Sequence, residues 1–245
     1  MTMRISPNPL PAVFLVASIL LPLTFASGIR PPKDCEIPEA TLSPDHKLGV
    51  VVPDYEKFFR RNKELPPNIL VDMASGKVLA TLQGPVANLL ESNTDLQPSW
   101  SQDGSTLIWA FKSKWSYRTI DVVKLEGGVV QWQVNLLERA QKEILARTQK
   151  AVPKRYAEKK AKNANDGGDF PEGYTINLKF KSPSGEPYGH MPARISNLPL
   201  SFAVTLTSDP KGLDNSPVDS RLEGKIDAEG KVTFFRFKLV KRDNQ

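Results

Sequence analysis

PSWSQDGSTLIWAF, residues 98–111, decides the fold. Asp103-Gly104 is a tight-turn dipeptide, with polar residues before it and an apolar run after it. That is the pattern of one strand turning into the next. The same pattern stands earlier in the chain. LSPDHKLGVVV, residues 42–52, lies over WSQDGSTLIWA, residues 100–110. Ser43 then meets Ser101, Asp45 meets Asp103 and His46 meets Gly104, a spacing of 58 residues. A second pair follows in the same order: ILVDMASGKVLATL, residues 69–82, matches VVKLEGGVVQWQV, residues 122–134, with one residue deleted in the turn. Gly76 and Gly128 supply the positive-φ position a tight hairpin needs. Two motifs recurring in one order predict a duplicated strand–turn–strand unit.

S-P-D-G-x-x-L before an apolar strand, then another strand and x-G-K-V, resembles the blades of WD-like β-propellers. The resemblance covers residues 41–137 and implies blade-like antiparallel meanders; it implies no activity. The chain departs from the family in copy number. A propeller closes with about four to eight blades, and only two units are present here. Two units leave an apolar face and open edges, so neighbouring segments must cover them. The expected forms are one twisted sheet of six to eight strands or two small sheets face to face.

NLLERAQKEILARTQKAVPKRYAEKKAKNAN, residues 135–165, provides the cover. Asn135 is placed to cap a helix, and Leu137, Ala140, Ile144, Leu145 and Thr148 recur at spacings of three and four. The spacing predicts a docked helix over 136–151. Pro153 ends it and is suited to start a solvated extension. Nine Lys and Arg against two Glu lie between Arg139 and Lys162, so this segment carries +7 and the rest of the chain about −1. The basic character therefore belongs to one segment. Lys154, Arg155, Lys159 and Lys160 are its candidate anion-binding residues.

After the helix the period changes to two. GYTINLKFK, residues 173–181, sets Tyr174, Ile176, Leu178 and Phe180 on one face. PLSFAVTLT, residues 199–207, does the same with Leu200, Phe202, Val204 and Leu206. SRLEGKI and KVTFFRFKL follow, joined by a loop that ends in Gly230. NLKFKSPSGEP and GKIDAEGKVTFFRF resemble the first and last strands of carboxypeptidase-regulatory-like (transthyretin-like) sandwiches, which implies an accessory module rather than a catalyst. The expected fold is mainly β with one long helix: two blade-like antiparallel meanders, a linker helix and a C-terminal antiparallel β-sandwich. The expected divisions are a signal peptide at 1–28, a flexible Pro-rich leader at 29–40, the β-repeat module at 41–137, the basic helix and linker at 138–172, and the sandwich at 173–245.

The leading segment reads as an export signal. Arg4 precedes an apolar run of 15 residues, 12–26, with Thr24 and Ala26 at the −3 and −1 positions of one cleavage site; cleavage after Gly28 is the second option. Fifteen residues interrupted by Pro22 fall short of the roughly 20 that span a bilayer. The expected location is secreted or periplasmic; an uncleaved N-terminal membrane anchor is the alternative. Cys35 is the only cysteine, so no internal disulfide framework forms and a packed core must supply the stability. It reads as a passive thiol in the leader or as one half of an intermolecular disulfide.

The chemistry-bearing patterns are few. The two histidines, His46 and His190, are far apart in sequence, and there is no cysteine pair, so no metal or other cofactor is expected. The chain carries no nucleophile elbow, no P-loop and no dinucleotide fingerprint. Asp45, Asp72, Asp103 and Asp121 are candidates for a carboxylate pair by elimination alone. For recognition, AFKSKWSYRT, residues 110–119, holds Trp115 and Tyr117 among Lys112, Lys114 and Arg118. Aromatics beside cations suit sugars, peptides or polar polymers. The candidate binding residues are therefore Trp115, Tyr117 and Arg118, beside the basic four of the helix. The expected function is a non-catalytic binding or scaffolding protein outside the cytoplasm. Its expected partners are an envelope polysaccharide, an anionic surface or another protein; nucleic acid is disfavoured. The alternative is a hydrolase of cell-envelope polymer, or its accessory subunit, working through a carboxylate pair.

Overall fold

Residues 30–54, 57–58, 65–83, 95–112, 117–164, 174–189, 191–192, 194–208 and 218–240 are described by the structure, a computed structural model. Residues 1–28, expected above to be an export signal, and Lys114, Trp115 and His190 lie outside them.

Two four-stranded meanders come first. β1 (Cys35–Glu36), β2 (Leu48–Pro53), β3 (Asn68–Asp72) and β4 (Val78–Leu82) pair in chain order, all antiparallel. β5 (Asp95–Ser101), β6 (Thr106–Lys112), β7 (Tyr117–Glu126) and β8 (Val129–Asn135) do the same. The turns before β2 and β6 correspond atom for atom. Ser43 Oγ donates to Asp45 Oδ1 at 2.7 Å, and Ser101 Oγ to Asp103 Oδ1 at 2.6 Å. Each serine Oγ then accepts the first strand N–H, of Leu48 at 3.0 Å and of Thr106 at 2.9 Å. His46 at φ +57° and Gly104 at φ +69° occupy the same left-handed position. The serine satisfies a backbone donor that the turn would otherwise bury unpaired. The hairpin correspondence is one residue off the sequence alignment: β2 pairs Val50 with Leu70 and β6 pairs Ile108 with Val122, so Leu70 rather than Ile69 stands in the place of Val122.

The two meanders face each other. Leu48, Val50, Val52, Leu70 and Leu82 of the first sheet pack against Trp100, Leu107, Trp109, Val123 and Leu125 of the second. Trp100 Nε1 donates to the Thr41 carbonyl at 3.1 Å and Trp109 Nε1 to the Gln83 carbonyl at 2.7 Å, so two indoles join the layers by hydrogen bonds as well as area. The opposite face of the second sheet, through Ile108, Ala110, Ile120 and Val122, looks onto a separate core. This sheet is covered on both sides, which is why TLIWAFK reads as a continuous apolar run rather than an alternating one.

That other core contains the helix. α1 (Leu136–Ala151) starts at Asn135, whose Oδ1 accepts the Glu138 N–H at 3.0 Å. Leu136, Leu137, Ala140, Ile144 and Thr148 are buried and Leu145 packs beside them. Burial of each large aliphatic side chain stabilises the docking by about 1.5–3 kcal/mol. α2 (Pro153–Ala164) begins at the proline and docks through Tyr156, whose ring stacks on Tyr174 at 4.9 Å while Tyr174 Oη donates to the Tyr156 carbonyl at 2.7 Å.

The C-terminal strands β9 (Thr175–Phe180), β11 (Leu200–Thr207), β12 (Asp219–Ile226) and β13 (Val232–Val240) form one antiparallel sheet in the order β13-β12-β11-β9. Its inner face carries Ile176, Leu178, Phe180, Phe202, Val204, Leu206, Leu222 and Ile226. The facing layer is α1 together with the second sheet. Between β9 and β11 the chain crosses back, and β10 (Arg194–Ile195) pairs parallel to β5. The C-terminal segment thus supplies a fifth strand to the repeat module. A two-residue strand leaves no periodicity in the sequence to announce it.

Cys35 is half-buried in β1, paired opposite Pro53. The Pro-rich segment therefore contributes an edge strand. Burial and the neighbouring Asp34 carboxylate push its thiol above the usual range, which makes it a poor nucleophile at neutral pH.

Candidate functional site

One cleft gathers a residue that the sequence singled out. It measures about 190 Å³ and lies where the end of the β6–β7 hairpin meets β9 and the loop after it. Lys112 closes β6 and Tyr117 opens β7, and the two stand opposite each other in the register. Tyr117 is half-buried against the main core, and its hydroxyl donates to Gln97 Oε1 at 2.9 Å. The ring is therefore fixed in place before any ligand arrives.

The opposite wall is β9. Strand alternation sends Leu178 and Phe180 into the core and Asn177 and Lys179 outward. Beyond β9, Tyr188 N–H donates to the Phe180 carbonyl at 2.9 Å, which folds the following loop back over the strand end. Tyr188, Gly189, Met191 and Pro192 complete the lining. Ser99 Oγ of β5 donates to the Pro192 carbonyl, so the loop is also tied to the second sheet.

The electrostatics are one-sided. Lys112 and Lys179 line the cleft, and neither is ion-paired among the described residues. The lining includes no Asp, Glu, His or Cys among the described residues. Two ammonium groups, two phenol rings and the Asn177 amide can hold an anionic group beside an apolar or ring-shaped one. The volume is below the roughly 300–1,000 Å³ of a drug-sized pocket, so a single small ring or acidic side chain fits.

The other candidates lie elsewhere. Arg118 is half-buried on β7, next in sequence to Tyr117 but outside the lining. Lys154, Arg155 and Lys160 are exposed on α2 and Lys159 is half-buried there. They form a surface separate from the cleft lining.

Each of the four carboxylates singled out by elimination is engaged in hydrogen bonds of the fold. Hydrogen bonds from Ser43 and Lys47 pull the Asp45 carboxyl down to about 2. Asp103 is lowered by Ser101 and Ser105, and Asp72 by Ser75. All three satisfy turn hydrogen bonds. Asp121 is buried, and desolvation pushes its carboxyl up even though Oδ2 accepts the Gln83 N–H at 3.1 Å. Gln83 in turn accepts from Trp109 and Asn68 through its carbonyl and from Thr119 through its side chain. Asp121 thus belongs to the network that seats β4 on the second sheet. No group of three potential metal ligands gathers among the described residues.

Sequence reasoning found Tyr117 and Lys112 through the aromatic–cation pattern of residues 110–119. It did not bring Asn177, Lys179, Tyr188 and Met191 to the same place, because they lie some sixty or more residues on. No helix among the described residues is long and apolar enough to cross a membrane. No protein-family model, no curated protein and no solved structure matches this chain.

Proposed function

We propose that this chain is a non-catalytic binding protein whose cleft holds a small anionic group, a carboxylate on a ring-shaped or apolar carrier. One observation carries the reading: Lys112 and Lys179, from two different sheets, line one cavity with no carboxylate among its described lining. A lysine pair with no internal counter-ion draws an anion, and the two tyrosines beside it offer a sugar-sized face. Pre-set side chains reduce the ordering cost of binding, and the Tyr117–Gln97 bond fixes one of them. The apolar run of residues 12–26 supports a working place outside the cytoplasm.

The test is calorimetric titration with galacturonate and with galactose as the uncharged control. Galacturonate is expected to bind and galactose is not. Lys112→Ala or Lys179→Ala is expected to weaken galacturonate binding at least fivefold, and the double variant to abolish it. Equal affinity for the two sugars, or indifference to both lysines, would overturn the reading.

A further inference from the structure

The cleft does not end at β9. Two cross-strand rows run from it over the outward face of the C-terminal sheet. The pairing aligns Lys179 with Ala203, Glu223 and Arg236, and aligns Asn177 with Thr205, Arg221 and Lys238. The next outward positions add Lys181, paired through its N–H to the Ser201 carbonyl, and Lys225 opposite Thr233. Among the described residues, six cations therefore share this face with two carboxylates, Asp219 and Glu223. Asp219 is occupied by the Ser208 N–H at 3.2 Å.

Glu223 is the organising group. Its buried carboxylate takes Lys181 Nζ at 2.8 Å, while Arg236 at 3.4 Å and Arg221 at 3.5 Å approach it loosely. Arg236 keeps 70% of its side-chain surface exposed. Arg221 Nε is buried with no hydrogen-bond partner. One carboxylate cannot satisfy three cations. It draws two guanidinium groups to one place on the sheet without saturating their donors.

Resting on the reading of the cleft given above, we infer that the ligand is a linear acidic polysaccharide that seats one sugar in the cleft and runs across the strands from Lys179 toward Arg236 and Lys238. With strands about 4.8 Å apart, three gaps give a track of about 14 Å, the reach of a short oligosaccharide. Charge complementarity selects the polyanion. The exposed hydroxyls of Ser201 and Thr205, which lie between the cations, suit a hydroxyl-rich chain. Single-stranded nucleic acid would call for aromatic stacking platforms along the track. The outward rows hold no such series: the one exposed aromatic beside them is Phe235, at the β13 irregularity next to Arg236.

The experiment titrates the full chain with galacturonate, tetragalacturonate and a short thymidine oligonucleotide of equal charge. Tetragalacturonate is expected to bind at least tenfold more tightly than galacturonate and more tightly than the oligonucleotide. Arg236→Ala with Lys238→Ala is expected to remove most of that gain and to leave galacturonate affinity unchanged, with circular dichroism verifying the fold. Galacturonate binding with no gain on lengthening would overturn this inference and leave the cleft reading standing. Absence of binding by either sugar would overturn both. Tighter binding of the oligonucleotide would replace the polysaccharide with nucleic acid and so overturn the inference as well; the wild-type length dependence decides the matter even if the variant fails to fold.

Discussion

Replacing Gly230 by alanine tests how the repeat module and the C-terminal sheet are joined. Gly230 lies in the β12–β13 hairpin at φ +77°, and a Cβ placed there would come within 2.7 Å of the Trp132 ring. Trp132 Nε1 donates to the Ala228 carbonyl at 2.8 Å, so the indole of β8 grips the tip of that hairpin. Three costs add. The left-handed backbone costs alanine about 1–2 kcal/mol. Displacing the ring costs about 1–3 kcal/mol through strain, and the lost hydrogen bond about 1 kcal/mol. Gly128 provides the control: its φ is +74° and nothing lies within 4 Å of its added Cβ. Gly128→Ala bears the backbone cost alone, and the unfolded-state gain of alanine, about 0.4–1 kcal/mol, is common to both variants. Urea unfolding should therefore show Gly230→Ala less stable than Gly128→Ala by about 2–4 kcal/mol, the strain and hydrogen-bond costs together, at equal m-value. In a Trp132→Ala background the difference should vanish. If the two glycine variants agree within about 0.5 kcal/mol, the scatter of neutral surface changes, the indole does not sit on the hairpin and the joint is drawn wrongly.

His46→Gly should stabilise the fold by about 0.5–1 kcal/mol, since it relieves a left-handed residue and loses part of that gain to unfolded-chain entropy; a thermal melt that falls would contradict the turn equivalence with Gly104. Asn135→Ala should cost about 1 kcal/mol by removing the α1 cap, read by chemical denaturation, and an unchanged midpoint would count against the cap. Acid should destabilise the protein through the turn carboxylates and Glu223. Their folded values lie below the usual carboxylate range, so the stability they contribute is full above about pH 5 and is lost as pH falls through those lowered values. The melting temperature should drop across that window, and Ser43→Ala with Ser101→Ala should make the drop shallower.

The local chemistry was legible because it lies within a few residues of chain. Ser43 and Ser101, each two residues before an aspartate, mark the same turn whatever surrounds them. Asn135 and the three–four spacing after it mark the helix and its buried face, and the alternation at Tyr174, Ile176, Leu178 and Phe180 marks a strand with one face inside. Partnership between distant elements was not legible. Nothing local marks Trp132 as the residue that sits half-buried on the hairpin of another sheet. Asn177 and Lys179 read as the wet side of a strand, which they are, but the β6–β7 hairpin that makes that side a cleft wall is brought there by α1 and β10. Burial on both faces also hides a strand's orientation: Leu107 and Ile108 are equally apolar although one faces the first sheet and the other the helix.

The binding account turns on where an acidic sugar lands. Amide shift mapping of the ¹⁵N-labelled chain, titrated with galacturonate, reads this directly. The account predicts shifts at Lys112, Tyr117, Asn177, Lys179 and Tyr188, with α2 silent. Shifts at Lys154, Arg155, Lys159 and Lys160 with none around the cleft would contradict it.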